Sequence, residues 1–380
     1  MICKIKISWL TGSNFLDVDM PLLPILSKKF CIKWIVIKQK NSWYTEKEIQ
    51  NFIYQNSIDG CVLTMSGRLR SVNSFNIYKK AVQIMKSHNP DIFYINYIGV
   101  PYLWPIISIS NIDKNKVIYP CHDYVDHKGV KNRLCYVWTK KLIFHRYNHF
   151  QFFSQTQKEL FTLDYKKGKD SFFAPLALKG FGKPSKMKQS DKIVKFLFFG
   201  NIRENKGIEY LISAANSLYE KYAEQFVVMI YGYCKNWEKY QALIKHPECF
   251  DLQIRRIENY EIADLFNNAD YLMLPYRDVT QSGPLLIAYY YCLPVIASNH
   301  QGFREYVDDG KTGFIHKNED SSDLCNVMIK AIKLHNTYQL MKDNLATFIK
   351  NNVSLPHIVS LYEQGFYNVL KSQGQGVDNE

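Results

Sequence analysis

Short apolar runs alternate with helical patterns along almost the whole chain, in two successive sets. The strand-like runs of the first set are Ile5–Leu10, Ile32–Ile37, Gly60–Thr64, Ile92–Tyr97, Val117–Tyr119 and Phe150–Ser154. Those of the second set are Ile193–Phe199, Phe226–Tyr231, Leu252–Ile254, Tyr271–Leu274, Val295–Ala297 and Gly313–Ile315. Strands that alternate with helices favour a parallel sheet with helices on both faces. The sequence therefore predicts an α/β protein with two doubly wound domains.

The two sets are separated by a segment that is poor in core-forming residues. Residues 181–192 contain Gly, Pro, Ser and several lysines, which is typical of an interdomain linker. We therefore expect one domain over residues 1–180 and a second over residues 193–350. A last helix at 351–371 is expected to pack back toward the first domain, and the polar tail at 372–380 is predicted to be disordered.

The positive charge of the chain is concentrated in its first half. Residues 1–180 hold 26 Lys and Arg against 12 Asp and Glu, whereas residues 181–380 hold 22 against 23. A basic domain suits nucleic acid, an anionic lipid surface or a phosphate-bearing substrate, although a solvated surface is an equal alternative. Binding to nucleic acid is disfavoured, because neither a recognition motif nor basic residues interleaved with aromatic ones accompany the charge.

An uncharged stretch at residues 92–112 has the length of a membrane span. Asn96, Gly99, Pro101 and Pro105 interrupt it, so we expect a buried strand, a turn and a short helix instead. The nine cysteines form neither a CxxC pair nor a zinc-like spacing, and the first residues resemble a strand more than a signal peptide. Reduced thiols in a cytoplasmic protein are therefore expected.

The sharpest local signal lies at residues 195–214. A buried strand ends there at Gly200 and a helix begins near Gly207, so that Arg203 and Lys206 occupy the turn between them. A guanidinium and an ammonium beside a helix N-terminus suit the charges of a diphosphate. The alternative is a solvated turn that happens to carry two basic residues.

A second signal follows the predicted strand Tyr271–Leu274. The turn formed by Ser282, Gly283 and Pro284 opens a helix at Leu285. Small residues at such a position let backbone amides approach a phosphate, and the helix dipole favours the anion.

In this order and spacing, the two segments resemble the donor-binding domain of family 4 (group 1) retaining glycosyltransferases. That family holds the donor diphosphate with a Gly-x-x-Arg-x-x-Lys-Gly-like segment, which here is Gly200, Arg203, Lys206 and Gly207. The resemblance implies the GT-B architecture, in which two Rossmann-like domains face each other across a cleft. The donor-binding residues that it implies are Gly12, Gly200, Asp278, Thr280, Gln281, Ser282, Gly283, Pro284, Leu285 and Glu305.

One departure concerns a pair of glutamates that many members of the family carry in the second segment. The aligned positions here are Val279 and Ile287, so the chain resembles a branch that lacks the pair. Contacts to the donor sugar then fall to Asp278, Thr280, Gln281 or main-chain amides.

The first half offers further residues at strand ends. Gly12 ends the first strand, where the family brings a glycine-bearing loop to the donor phosphate or the acceptor. His122 and Asp123 end another and are similar to the family's His-Asp segment facing the reacting sugar, with a structural turn cap as the alternative. The implied catalytic residues are His122, Asp123, Arg203 and Lys206, and the candidates for acceptor contact are Arg68, Arg70 and His127.

The resemblance implies transfer of a hexose-type sugar, with retention, from a UDP- or GDP-sugar to a glycan or lipid-linked glycan. Its setting would be bacterial surface polysaccharide or lipopolysaccharide assembly, and the basic first half suggests contact with the inner face of the cell membrane. No cofactor or metal is expected, since the acidic pairs at Asp17 and Asp19 and at Asp123 and Asp126 are common chance patterns.

Two other functions stay open at this point. One is a catalytically silent relative that binds a nucleotide sugar. The other is a Rossmann oxidoreductase, which would need a GxGxxG turn where residues 9–14 supply one glycine.

Overall fold

The chain divides into two compact units in the computed structural model. The structure describes residues 4–67, 71–125, 133–165, 168–185, 193–334 and 337–374. One unit is built from the chain up to Ala177 and from Leu355 onward, and the other runs from Leu178 to Ser354.

The first unit contains a seven-stranded sheet in which all paired strands run parallel. Its strands are β1 (Lys6–Gly12), β2 (Cys31–Lys38), β3 (Asp59–Thr64), β4 (Ile92–Asn96), β5 (Val117–Cys121), β6 (His149–Phe152) and β7 (Asp170–Phe173). Their spatial order is β3-β2-β1-β4-β5-β6-β7, so the direction of winding reverses between β1 and β4. Ligands of such sheets bind beyond the carboxyl ends of the strands at this reversal.

Some of the helices between these strands begin at capping side chains, namely those of Thr45, Ser71 and Ser154. The helices between the strands are α1 (Leu16–Asp19), α2 (Leu23–Lys29), α3 (Glu46–Gln55), α4 (Val72–Ser87), α5 (Leu103–Ile109), α6 (Arg133–Arg146) and α7 (Gln155–Asp164). At α3 the Thr45 hydroxyl accepts a hydrogen bond from the Glu48 N–H, and the Glu48 carboxylate accepts one from the Thr45 N–H. Such a reciprocal capping box satisfies two backbone donors that the helix itself cannot.

The second unit repeats the architecture with a six-stranded parallel sheet. Its strands are β8 (Val194–Phe199), β9 (Phe226–Tyr231), β10 (Phe250–Gln253), β11 (Tyr271–Leu274), β12 (Val295–Ser298) and β13 (Gly313–His316). The order β10-β9-β8-β11-β12-β13 reverses between β8 and β11. Its helices are α8 (Ile208–Tyr222), α9 (Glu238–Gln241), α10 (Asn259–Asn268), α11 (Gly283–Tyr290), α12 (Gln301–Arg304), α13 (Ser321–Lys333) and α14 (Tyr338–Phe348).

The last helix, α15 (Leu355–Ser372), packs on the sheet of the first unit. The rings of Tyr362 and Phe366 are fully buried, and their centroids lie 6.0 Å from Trp9 and 5.9 Å from Tyr94, respectively. Each buried aromatic ring contributes on the order of 2–3 kcal/mol through the apolar area it removes from water. The helix therefore completes the core of a unit that the chain began more than three hundred residues earlier.

The predicted fold class of two parallel α/β sheets is confirmed, and the differences are local. Strand β7 was not predicted, because its residues at the sheet edge are exposed or half-buried and form no clear apolar run. The uncharged stretch at 92–112 forms β4, a turn and the short helix α5, as expected. Within the described part of the chain, no helix is long and apolar enough to cross a membrane.

The domain edges differ in detail from the predicted ones. In the predicted linker, the Phe181 N–H donates to the Tyr291 hydroxyl at 2.9 Å and the Ser185 N–H donates to Asp264 at 2.6 Å. Residues 181–185 are thus part of the second unit, whereas residues 186–192 lie outside the described residues. Ser372, the first residue of the predicted tail, ends α15, and residues 375–380 also lie outside the description.

We expect Gly365→Ala to destabilise the first unit. A Cβ at Gly365 would lie 2.6 Å from Cε2 of Phe172, and such overpacking costs about 1–3 kcal/mol. Urea denaturation should therefore show a lower free energy of unfolding. In a Phe172→Ala background the same change should instead raise stability by up to about 1 kcal/mol, since only the helix propensity of alanine remains. An equal effect in both backgrounds would contradict this packing of α15.

Candidate active site

The turn between β8 and α8 carries the two basic residues that the sequence singled out. Arg203 is exposed and Lys206 is half-buried in a short 3-10 turn. Gly207 follows with φ of 59° and serves as the N-cap of α8. A Cβ at this position would overlap the carbonyl oxygen of Pro275, so glycine allows the turn to lie against the segment that leaves β11.

Lys206 lies over the face of an aromatic ring. Its Nζ is 3.6 Å from the ring centroid of Tyr276, a residue that is almost completely buried. Burial and, secondarily, the nearby charge of Arg203 lower the pKa of Lys206 to about 8. Within the described ranges no carboxylate pairs with Lys206. Its ammonium is therefore partly desolvated and held mainly by the ring, which leaves its charge available to an anionic ligand.

A third basic residue nearby, Arg277, is neutralised by acidic neighbours. Its Nε lies 3.0 Å from Glu209 and its Nη1 lies 3.2 Å from Glu319. Its backbone N–H also donates to the carbonyl of Asn205 at 2.9 Å. Arg277 thus anchors the turn that carries Arg203, and the sequence alone does not distinguish it from the other basic residues.

The start of α11 lies beside the same turn. The Ser282 hydroxyl caps the helix by accepting from the Leu285 N–H at 3.4 Å. A Cβ at Gly200 would lie only 3.7 Å from Cγ of Pro284. The two segments that resemble a diphosphate site therefore meet beyond the carboxyl ends of β8 and β11.

Tyr276 connects these segments to the loop after β12. Its side chain is hydrogen-bonded to that of Ser282, and its carbonyl accepts from His300 Nε2 at 2.9 Å. A single buried tyrosine thus supports Lys206 on its ring face, the helix cap through its hydroxyl and the next loop through its carbonyl. Tyr276 is not predicted from the sequence, because nothing in the local pattern shows which ring lies beneath Lys206.

The other predicted donor-binding residues vary in exposure. Asp278 is exposed, whereas Thr280, Gln281 and Glu305 are half-buried, Glu305 directly after α12. The Nε2 of Gln281 is shielded from solvent and has no hydrogen-bond partner among the residues described. A buried amide donor of this kind costs free energy unless a ligand or water satisfies it.

In the first unit, Gly12 at the end of β1 has a packing role. A Cβ there would overlap the ring of Tyr97, which follows β4. The Tyr97 hydroxyl accepts from Gln39 Nε2 at 2.7 Å and lies 3.2 Å from the hydroxyl of Tyr78. Glycine is therefore required here for the approach of an aromatic ring, whether or not a ligand binds nearby.

His122 follows β5 and is held on both faces of its ring. Phe15 and Phe153 stack on it with centroid distances of 4.0 and 4.2 Å. Desolvation by these neighbours lowers the pKa of His122 to about 3, so its ring is neutral at physiological pH. Of the neighbouring Asp123, the main-chain carbonyl accepts from Lys140 Nζ at 2.7 Å.

Two residues behind His122 were missed as parts of a site. His122 Nε2 lies 3.0 Å from Asn96 Oδ1, and Asn96 Nδ2 donates to the buried carboxylate of Asp19 at 2.9 Å. In the sequence, Asp19 stands out only as half of an acidic pair with Asp17. In the structure Asp17 accepts instead from the hydroxyl of Tyr44, so the two carboxylates have different partners.

The candidates for acceptor contact cannot be placed in this way. Arg68, Arg70 and His127, together with Asp126, lie outside the described residues.

Residues 194–333 match the model of the family described as glycosyl transferases group 1. The chain is therefore similar to group 1 glycosyltransferases over most of its second unit. Over 313 residues it is 25% identical to an uncharacterized glycosyltransferase of Methanocaldococcus jannaschii, and the match covers 78% of each chain.

Several solved structures share the fold of this chain. A glycosyltransferase from Rickettsia africae has a TM-score of 0.73 at 14% identity, over 97% of this chain and 99% of that one. Sucrose-phosphate synthase from Thermosynechococcus elongatus has a TM-score of 0.73 at 12% identity, over 97% and 100%. HepE from Anabaena, in complex with UDP-glucose, has a TM-score of 0.69 at 15% identity, over 97% and 100%. These likenesses show the GT-B fold.

We expect the amine of Lys206 to titrate near pH 8, below the ordinary lysine value of about 10.4. Arg203→Gln should raise this pKa, because it removes a nearby positive charge. NMR of the reductively 13C-methylated protein would measure both midpoints. Arg256→Gln, at an exposed arginine of the same unit, is the control that should leave Lys206 unchanged. A titration midpoint of Lys206 that lies near the ordinary lysine value and does not change in Arg203→Gln would contradict the described environment of Lys206.

Proposed function

We propose that this protein is a glycosyltransferase that moves a hexose-type sugar, with retention, from a UDP- or GDP-sugar to a glycan or lipid-linked glycan. The observation that carries the proposal is the pairing of Arg203 with the partly desolvated Lys206, beside the capped start of α11. The complex of HepE, a protein of the same fold, with UDP-glucose supports a nucleotide-sugar donor.

The diphosphate of the donor is proposed to lie between this turn and the start of α11. Arg203 has the exposure to reach it from solvent, whereas Lys206 is held in place by the ring of Tyr276. At the helix start, Gly283 is exposed and leaves its main chain open to a phosphate oxygen, which the helix dipole also favours. As the sugar bond breaks, these groups stabilise the negative charge that develops on the leaving nucleoside diphosphate.

The donor sugar is proposed to contact Gln281 and its neighbours Asp278, Thr280 and Glu305. The unsatisfied Nε2 of Gln281 supports this, because a sugar hydroxyl would provide the missing acceptor. Val279 and Ile287 stand where many members of the family have glutamates, and we propose that this chain belongs to a branch that holds the sugar by other groups.

His122 is proposed to face the reacting sugar from the first unit, with Asp123 beside it. A neutral imidazole exchanges hydrogen bonds with sugar hydroxyls without adding a charge. Retention without a protein nucleophile would have the leaving phosphate accept the proton of the acceptor hydroxyl. Gly12, Arg68, Arg70 and His127 remain proposed contacts to the donor or acceptor.

We expect UDP or GDP to raise the melting temperature of the enzyme, with and without EDTA, because a ligand of the native state stabilises it by mass action. Lys206→Ala and Arg203→Ala should each weaken nucleotide binding about 10- to 100-fold, as the loss of a charge-assisted hydrogen bond does. Isothermal titration calorimetry measures this effect directly. Lys221→Ala, an exposed lysine at the far end of α8, is the matched control and should bind normally.

The same melting-temperature and binding measurements also test the alternative functions. An enzyme whose melting temperature responds to no nucleotide would contradict the proposal as a whole. Binding of a nucleotide sugar without transfer or hydrolysis would favour the catalytically silent relative.

We also propose that the acceptor lies at a membrane surface, at the inner face of the cell membrane in surface polysaccharide assembly. The basic first half supports it, as do two apolar side chains that α6 exposes, Leu134 at 78% and Trp138 at 71%. Lys141 Nζ lies 5.8 Å from the Trp138 ring, so the same surface carries positive charge. Tryptophan beside lysine is typical of proteins that bind an anionic lipid interface.

Vesicles containing phosphatidylglycerol should co-sediment the protein at low salt, and vesicles of phosphatidylcholine alone should not. Trp138→Ser should reduce the bound fraction several-fold, because it removes the apolar contact with the interface. Trp43→Ser is the control, since Trp43 is comparably exposed at 77% and lies outside α6. Equal losses from both variants, or no binding by the wild type, would contradict the membrane proposal.

A further inference from the structure

A chain of hydrogen bonds connects His122 to a carboxylate inside the first unit. His122 Nε2 is 3.0 Å from Asn96 Oδ1, and Asn96 Nδ2 is 2.9 Å from Asp19 Oδ1. Asn96 and Asp19 both have an exposed fraction of 0%, so bulk water does not compete for these bonds. The carboxylate and the histidine are therefore linked through a single amide group.

The second oxygen of Asp19 is already occupied by two donors. The indole N–H of Trp9 donates to Oδ2 at 2.9 Å, and the Thr11 hydroxyl donates to the same atom at 2.6 Å. The Thr11 hydroxyl itself accepts from the indole N–H of Trp34 at 2.7 Å, so its own hydrogen is directed at Asp19. Two donors already point at Oδ2, whereas Oδ1 meets the single amide of Asn96. Oδ1 is therefore the oxygen that can take up a proton by turning one neighbouring group.

The ionised carboxylate then determines how the Asn96 amide is oriented. An ionised Oδ1 can only accept, so the amide must present its NH2 group to Asp19 and its oxygen to His122. An amide oxygen also only accepts, so Nε2 of His122 must carry the hydrogen. Since the ring is neutral, its other nitrogen, Nδ1, has the lone pair.

We propose that Asn96 is a positioning residue that converts the ionisation of Asp19 into the tautomer of His122. With Asp19 ionised, His122 presents a hydrogen-bond acceptor at Nδ1. With Asp19 protonated on Oδ1, the amide rotates, its NH2 donates to Nε2, and Nδ1 becomes a donor. The consequence for catalysis rests on the proposed function: an Nδ1 acceptor can orient the hydrogen of a sugar hydroxyl, and an Nδ1 donor cannot.

The surroundings of Asp19 make this exchange accessible near neutral pH. Burial raises the pKa of Asp19 to about 7, opposed by its hydrogen bonds from Thr11, Trp9 and Asn96. The titratable groups that face it from β4 and α15 are Tyr94 and Tyr362, and burial raises the pKa of both. These hydroxyls therefore stay protonated, and His122 stays neutral, while Asp19 changes its charge.

The test is the tautomer of His122 in the ligand-free, full-length protein labelled with 15N-histidine. Two-dimensional 1H–15N NMR distinguishes a ring with its hydrogen on Nε2 from one with its hydrogen on Nδ1, and a His122→Gln variant assigns the signals. At about pH 8.5, above the pKa of Asp19, we expect the wild type to carry the hydrogen on Nε2. At about pH 5.5 we expect the signals to shift toward the Nδ1 tautomer.

The variant Asp19→Asn tests the same prediction without a change of pH. Its oxygen must accept from Trp9 and Thr11, so its NH2 faces Asn96 and rotates that amide. We expect the Nδ1 tautomer at both pH values. Asp17→Asn, on the same short helix, is the control and should behave like the wild type. An Nδ1 tautomer in the wild type at the higher pH would overturn the proposal.

If Asp19→Asn does not fold, the pH titration of the wild type tests the proposal instead. A His122 tautomer that stays the same at both pH values would then overturn the proposal. In the folded variant we expect kcat for donor turnover to fall about tenfold or more, a size typical of proton-positioning groups. The Kd for UDP should not change, since the proposed diphosphate contacts belong to the second unit. A reversed tautomer with normal turnover would refute the proposed role of His122 and leave its positioning by Asn96 intact.

Discussion

Each sheet pairs all of its strands in parallel, so every strand delivers the residues that follow it to the same edge. This geometry brings Arg203, Lys206 and Ser282 together although they follow different strands. In the first unit it places Gly12, Asn96 and His122 at neighbouring strand ends. The reversal of strand order, between β8 and β11 and between β1 and β4, separates the adjacent loops and leaves room there for a ligand.

Each of these edges contains an ionisable group that the fold has partly removed from water. Lys206 lies on Tyr276 and Asp19 lies among indole, hydroxyl and amide donors, and neither has a described counterion. Desolvation disfavours the charged form, so the pKa of the lysine falls and that of the carboxyl group rises toward neutrality. A ligand or a proton therefore changes the state of either group at little free-energy cost, which is characteristic of functional sites.

Much of the fold could be predicted from the sequence, because buried parallel strands appear as apolar runs and helices as periodic ones. Strand β7 escaped because an edge strand need not be apolar on both faces. The turn with Arg203 and Lys206 was recognised because its residues are close in sequence. The contact of Asn96 with Asp19 joins residues 77 positions apart. The ring beneath Lys206 belongs to Tyr276, which follows strand β11 and is distant from Lys206 in the sequence. Such contacts depend on tertiary packing, which no local pattern reports.

The return of α15 to the first sheet has a consequence for how the protein is made. Trp9 and Tyr94 emerge early from the ribosome, but the rings of Tyr362 and Phe366 that cover them are synthesised near the end. The second unit, which is continuous from Leu178 to Ser354, can close before that point. Domains usually fold in the order of their synthesis. In this protein the domain that begins first is the last to be finished, so its aromatic surface stays uncovered until α15 has been synthesised.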